Sequence, residues 1–336
     1  MKITEEKKNG FIYLTLNNDD GAQVTVVNYG ARMISFKVPV NGQLQEVAVS
    51  GTTANDFKDA SKYFGATIGP VAGRITKGQF TIDGKNFQAD QNEKGNTLHG
   101  GANSFESKIF VSRVFEEEDS CAVEFSHKRV DGENGFPGNL EVAVTYRLFN
   151  ENKLTISYEG QTDQATPFNP TNHSYFNLTG HGLDISQHTL KINADRFGEL
   201  QENSLPTGVL AQVEGRPFDL RAGKKLAEVF ASDDAQIVMK EGVDHPFKFN
   251  GQEHVIELIA PDESLRLKIT TDRDAVVIFT SNFAEVPHFD EVPLAFHGAV
   301  AIEPQSLPDA MSHEGFGEIV LQPGEIFQSK TTYQVL

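Results

Sequence analysis

Along most of the chain, hydrophobic and polar residues alternate with a period of two. In residues 140–148, Leu140, Val142, Val144, Tyr146 and Leu148 fall on one face, with Glu141, Thr145 and Arg147 opposite. Such alternation predicts a strand with one side in a core and the other in polar surroundings. Leu154, Ile156 and Tyr158 repeat it, as do Leu265, Leu267 and Ile269. Strands are also predicted over 11–16, 22–28, 32–40, 108–115, 121–127, 276–282 and 331–336. Between them, NNDDG, VNG, IDGK and FNGQ supply the Gly, Asn and Asp that tight turns use. Helical spacing is scarce. Residues 221–230 (RAGKKLAEVF) make about two turns, with Leu226, Val229 and Phe230 able to share a face. Short helical turns are predicted near 53–62. Many short strands joined by turns imply an all-β sandwich or barrel. No linker, low-complexity tract or fixed-period repeat interrupts the 336 residues, so a single domain over 1–336 is expected.

Composition narrows the functional classes. An apolar share of 38% against a charged share of 23% supports a sizeable core and argues against disorder. Acids outnumber bases by 47 to 29, a formal charge of −18. That balance argues against nucleic acid, which requires a concentrated basic face. It also weighs against anionic membrane surfaces and multiply phosphorylated substrates. No apolar run approaches the roughly 20 residues of a membrane span. The opening MKITEEKKNG has charges and no apolar stretch, so no secretory leader is expected. Cys121 is the one cysteine, which rules out an internal disulfide and a cysteine-rich zinc module. A cytoplasmic protein is expected, and the glycosylation-type sequons at Asn172 and Asn177 then read as coincidence. Tryptophan is absent while Phe occurs 25 times, so Phe carries much of the aromatic packing.

Four segments depart from the strand-and-turn pattern. In FGATIGPVAGRITKGQF (64–80), Arg74 sits among small, nearly uncharged residues. A cation there must be tied to a carboxylate or face a site. In GNTLHGG (95–101), His99 is framed by glycines, as suits either an ordinary loop or a loop tip entering a cleft. In FNPTNHSYFNLTG (168–180), alternation puts Asn172, Ser174 and Phe176 on one face and His173, Tyr175 and Asn177 on the other. Polar groups on both faces are odd for a purely structural strand. In GAVAIEPQSLPDA (298–310), Glu303 ends an apolar run, where a carboxylate is costly unless paired or functional. VDHPF (243–247) adds Asp244 and His245, a pattern that equally fits a turn capped by Asp.

The ten histidines show no HxH or HExxH spacing, and no metal site is expected. There is no G-x-S-x-G elbow, phosphate-binding loop or dinucleotide fingerprint. What remains is acid–base chemistry by His and Glu, with Arg, Asn and Asp as hydrogen-bonding anchors. Aromatic and planar polar groups suit a neutral, hydroxyl-rich ligand such as a sugar.

These blocks resemble a known family. DGENGFPGNL (131–140), NTLHGG, NHSYFNL and EPQSLPDA match, in order and spacing, the aldose 1-epimerases, also called galactose mutarotases. The resemblance runs from about residue 10 to the C-terminus. It implies a large antiparallel β-sandwich of the galactose mutarotase-like kind with very few short helices. It also implies interconversion of the α and β anomers of free aldohexoses such as galactose and glucose, with no cofactor. Carried over by motif, Glu303 would be the base on the C1 hydroxyl and His173 the acid at the ring oxygen. His99 would assist there, while Arg74, Asp244 and Asn172 would hold the sugar. Gly73 stands where the family often has Asn, and Met311 and Ser312 follow PDA where it often has Asn. Both departures would bear on which hydroxyls are recognised.

The chemistry so implied is ring opening to the aldehyde, rotation about C1–C2 and reclosure on the other face. The two groups must exchange protons near neutrality, which His does natively and a desolvated Glu can do. Three other readings remain open at the level of sequence. A glycoside hydrolase would use Asp244 and Glu303 as a carboxylate pair about 5–10 Å apart. A silent sugar-binding module would need the anchors without the acid–base pair. An enzyme for hexose 6-phosphates would need more cations than Arg74. A homodimer through an edge strand is a possible assembly.

Overall fold

The computed structural model describes residues 1–53, 56–57, 62–180, 184–252, 254–283, 288–289 and 292–336. Its strands lie mainly in three sheets. The nine-stranded sheet runs in the order Val111–Glu116, Ser120–Arg129, Leu140–Phe149, Lys153–Thr162, Phe327–Val335, Arg266–Thr271, Val255–Ile259, Thr189–Ile192 and Lys224–Lys225. Its pairs are antiparallel, and Leu140↔Thr162 continues without a slip to Phe149↔Lys153. Alternation fixes that register, because a one-residue slip would turn Val142, Val144, Tyr146 and Leu148 out of the core. All four are buried in the main apolar cluster.

The seven-stranded sheet runs Pro206–Gln212, Arg196–Leu200, Asp244–Lys248, Ala275–Phe279, Val300–Gln305, Tyr175–Phe176 and Ala48–Val49. One of its faces packs on the same cluster through Phe176, Phe247, Val276, Ile278, Val300 and Ile302. The alternating residues Tyr175, Val277, Phe279 and Glu303 face away and line a cavity. Both faces are covered, which is why Val300–Gln305 is buried along its whole length. A five-stranded sheet, Lys2–Lys8 to Gln43–Glu46 in chain order, adds Leu14, Leu16, Val24 and Phe36 to the cluster. Each such buried side chain contributes roughly 1.5–3 kcal/mol.

The differences from the sequence reading have local causes. Over 221–230 only Leu226–Phe230 is helical, because Gly223 takes φ +84° and Lys224–Lys225 joins the sheet edge beside Thr189. The strand expected over 108–115 begins at Val111, since Gly30 and Asn28 claim the backbone of Lys108 and Phe110. That over 276–282 ends at Phe279, before Ser281 at φ +54°. A second short helix, Ala235–Lys240, was not anticipated, although Asp234 caps it by accepting from Gln236 N–H. The helical turns expected near 53–62 lie largely outside the described residues. No helix among the described residues is long and apolar enough to cross a membrane.

Candidate active site

The cavity holds about 210 Å³. That is below the roughly 300–1,000 Å³ of sites enclosing drug-sized ligands, and fits one sugar ring better than a chain. A larger depression of about 430 Å³, lined by Ile109, Val111 and His127, lies on the nine-stranded sheet and has none of the predicted groups.

Five of the six predicted residues line the cavity: Arg74, His99, His173, Asp244 and Glu303. Each arrives from a different segment. Glu303 is placed by register, opposite Val277 on the neighbouring strand. Asp244 lies on the next strand over, opposite Phe279. The strand Asp244–Lys248 replaces the turn that VDHPF allowed. Pro246 is accommodated inside a sheet because its ring sits against Gly198, where a Cβ would come within 2.8 Å of Pro246 Cγ.

His173 is held by its backbone, with His173 N–H donating to Ala66 and Gly65 N–H donating to His173, both at 2.9 Å. His99 follows the short strand Thr97–Leu98, which pairs with Arg74–Ile75. His99 takes φ +54° and Gly100 φ +86°, and at Gly100 a Cβ would stand 2.3 Å from the Gly69 carbonyl oxygen. The glycine is therefore a steric requirement of the turn that presents His99.

Asn172 lies elsewhere. Its amide donates to the Gly65 carbonyl at 3.0 Å and the Tyr146 hydroxyl at 2.8 Å, and its oxygen accepts from Ser174 Oγ. It is 2% exposed and not part of the cavity lining. Its polar capacity goes into tying His173's segment to the core, a supporting role instead of the sugar contact expected. Met311 packs on the apolar cluster around Val71 and Ile75, and Ser312 donates to Asp309. Neither lines the cavity. Gly73 does, at φ +76°, and a Cβ there would meet Pro308 at 2.8 Å.

Electrostatically, the centre is a buried pair. His173 Nε2 lies 3.3 Å from Glu303 Oε1, with side chains 7% and 4% exposed. Burial raises the Glu303 carboxyl well above its ordinary value, and Asp244 adds to this while Arg74 opposes it. Burial lowers His173 to about 3. Both shifts favour neutral forms, so the contact is a carboxylic acid beside a neutral imidazole, one proton for the two groups, and not an ion pair. Sequence reasoning took His173 as poised near neutrality; desolvation is the reason it is not. His99 is also held well below its ordinary value, first by burial and then by His173. Asp244 is raised by burial against the opposing pull of Arg74. Arg74 donates from Nε and Nη2 to Glu93 at 3.2 and 3.3 Å while still lining the cavity, so both readings of it hold at once.

His99, His173 and Glu303 bring ligand atoms within 4.8 Å of one another, which is metal-ligand spacing. The donor set does not fit an ion. His99 Nδ1 already accepts from Gly73 N–H at 3.2 Å, which leaves the proton on Nε2, the atom a metal would need bare.

Sequence reasoning missed Tyr63, Ser204 and Gln305, which also line the cavity. Tyr63 stacks near His173 and meets His99 edge-on at 4.7 Å between ring centres. Gln305 was visible in principle, two residues beyond Glu303 and so on the same face.

The fold is all-β, and its cavity brings two carboxyl groups, two imidazoles and a guanidinium together in a space the size of one sugar ring. Residues 13–334 match the family model described as aldose 1-epimerase. The aldose 1-epimerase of Escherichia coli K12 is 34% identical over 331 residues, covering 96% of this chain and 94% of that protein. The human galactose mutarotase is 34% identical over 322 residues, covering 94% and 91%. The crystal structure of a galactose 1-epimerase from Lactobacillus acidophilus superposes with a TM-score of 0.88 at 30% identity, covering 100% of this chain and 98% of that one. The chain belongs to the aldose 1-epimerase family, and its activity is that of a mutarotase, an isomerase.

Proposed function

We propose that the substrates are free aldohexoses, galactose and glucose among them, and that Glu303 and His173 carry out the reaction. The carrying observation is the Glu303–His173 approach of 3.3 Å inside a sugar-sized cavity. When sugar hydroxyls donate to Glu303, its carboxylate form is favoured and the shared proton passes to His173. Glu303 then removes the proton of the anomeric hydroxyl while His173 protonates the ring oxygen, and the ring opens. After rotation about C1–C2, His173 takes the proton of the C5 hydroxyl as that oxygen attacks C1, Glu303 returns its proton to the C1 oxygen, and the ring closes on the other face. His99, fixed as the Nε2–H tautomer, donates towards the same oxygen. Arg74 and Asp244 hold other hydroxyls of the sugar.

A sugar phosphate is disfavoured by the charges present. Arg74 is the one Arg or Lys among the described lining residues, it is engaged by Glu93, and Asp244 and Glu303 add carboxyl groups. The whole chain acting as one domain is supported by the main apolar cluster, which runs from Leu14 to Val335. Cytoplasmic residence is supported by a single, buried free thiol, Cys121.

Polarimetry of freshly dissolved α-D-glucose and α-D-galactose tests the reading. Both should reach anomeric equilibrium faster with the protein than in buffer. Unchanged rates for both sugars would refute it, and release of aglycone from aryl glycosides would favour a hydrolase.

A further inference from the structure

Gln305 has no part in the proton transfers, yet its side chain is unsatisfied. It is 1% exposed, and neither its Oε1 nor its Nε2 has a hydrogen-bond partner. Burying an amide without partners forfeits its hydration with nothing in return, so such a group usually awaits a ligand or performs a task. The neighbouring strand offers Gln305 no partner. Its cross-strand neighbours are Ala275, directly opposite, and Val277, opposite Glu303, and both are apolar. The backbone on either side is pinned: the Pro304 carbonyl accepts from Thr171 Oγ1 at 2.8 Å, and Ser306 N–H donates to Asn169 Oδ1 at 3.0 Å. Side chains alternate along a strand, so Gln305 shares the face of Glu303, and both line the cavity.

We propose that Gln305 is a sugar-recognition residue that reads two adjacent hydroxyls on the side of the ring remote from the anomeric carbon, at C3 and C4. An amide offers an acceptor and a donor side by side, so Oε1 takes a proton from one hydroxyl while Nε2 donates to the other. The position follows from spacing. Two residues of strand separate Gln305 from Glu303 by about 6.5 Å, comparable with the breadth of a pyranose. With the C1 hydroxyl at Glu303, the far hydroxyls fall to Gln305. Glucose and galactose differ at C4, so Gln305 is where this chain tells them apart. The proposal rests on the mutarotase reading above.

The test is kcat/KM for glucose and its 2-, 3-, 4- and 6-deoxy analogues, with the natural chain and with Gln305→Met, which keeps the bulk and removes the amide. In the natural chain the 3- and 4-deoxy sugars should lose about 5–10-fold relative to glucose. In Gln305→Met, glucose should fall to that level, mainly through KM, and the 3- and 4-deoxy penalties should disappear. Penalties that survive the substitution, or that vanish at C2 or C6 instead, overturn the proposal. If Gln305→Met does not fold, the natural chain still decides: 3- and 4-deoxyglucose turned over as well as glucose would overturn it. If the natural chain accelerates mutarotation of no sugar, the activity reading fails. The same panel is then read as binding affinity by NMR titration, where the 3- and 4-deoxy pattern tests Gln305 independently.

Discussion

Gly73 and His99 hold each other through two hydrogen bonds. His99 N–H donates to the Gly73 carbonyl at 2.9 Å, and Gly73 N–H donates to His99 Nδ1 at 3.2 Å. The second bond sets the tautomer, and burial keeps the ring neutral. The orientation of one active-site side chain thus depends on a backbone that only glycine adopts easily, at φ +76° with Pro308 packed against it.

Gly73→Ala should therefore harm both stability and activity. The left-handed backbone alone costs about 1–2 kcal/mol for a residue with a Cβ, and the contact with Pro308 adds to it. His99 moves with the distorted turn, so kcat/KM should fall. Thermal melts beside polarimetric rates check this. A variant with the parent's melting point and full turnover would show that the Gly73–His99 pairing does not matter.

Arg74→Ala separates binding from folding. The Arg74–Glu93 pair is 19% and 22% exposed at its side chains, so its loss should cost the fold little, on the order of 1 kcal/mol or less after solvent screening. Loss of a charged hydrogen bond to a sugar hydroxyl should weaken kcat/KM by about 1.5–3 kcal/mol, roughly 10–150-fold. Glu93→Gln should have a smaller effect of the same sign, because Arg74 remains but is less firmly held. Failure of Arg74→Ala to fold, with normal KM in Glu93→Gln, would assign Arg74 to structure alone.

The period of two found many of the strands that build the main cluster, such as Leu140–Phe149 and Lys153–Thr162, because each has one apolar face; Thr189–Ile192 and Val255–Ile259, which alternate too and add Leu190, Ile192, Ile256 and Leu258, were not predicted, since four or five residues give the pattern little length. It was weaker wherever a strand is buried on both faces. Asp244–Lys248 carries Asp, His and Pro, and its strand character depends on Gly198 making room for Pro246. No local signal reports that. The site was legible where residue type and burial conflict, as at Glu303 at the end of an apolar run. Asn172 was misplaced because its motif resembles a sugar contact, whereas its partners, Gly65 and Tyr146, are distant in sequence. The pairing of Arg74 with Glu93 and the proton-sharing of His173 with Glu303 are likewise products of tertiary approach.

Acid should destabilise the fold through histidines buried in their neutral form. Burial lowers His173 and His245 to about 3 and His188 to about 4. The sign follows from linkage: the unfolded chain takes up these protons near pH 6.5 and the folded chain does not. Stability is fully present above about 6.5 and is lost as pH falls towards those lowered values, at up to about 1.4 kcal/mol per pH unit for each group. His245 donates from Nε2 towards Gln236 Oε1 and accepts from Asp244 N–H, so it stays neutral for structural reasons. Denaturant melts between pH 7 and 4.5 should show the slope, and His245→Gln should reduce it by about one proton. An equal slope in the variant would place the acid lability elsewhere.

The acid–base pair gives the sharpest expectation, because activity and stability should move in opposite directions. Glu303→Gln keeps the size and some hydrogen bonding of the side chain but cannot accept the anomeric proton, and turnover should fall by about 10²–10⁴-fold. His173→Asn should fall comparably. Because both groups act in one ring-opening step, the double variant should lose far less than the product of the single losses. Stability goes the other way for Glu303. Its folded carboxyl titrates well above the unfolded one, so the stabilisation from holding that proton is complete below about pH 4.3 and is lost as pH rises towards the raised value. Gln has no proton to lose, so Glu303→Gln should melt higher than the parent at pH 8 and draw level with it near pH 4.5. The pH–rate profile of the parent belongs to the pair. Its acid limb, where a second proton reaches His173, should lie well below 6.5, and its alkaline limb marks loss of the shared proton. Near-parental turnover in Glu303→Gln would refute the assignment. Fully multiplicative losses would place the two residues in separate steps. A lower melting point for Glu303→Gln at pH 8 would mean that Glu303 is ionised in the folded protein and paired with a charged His173.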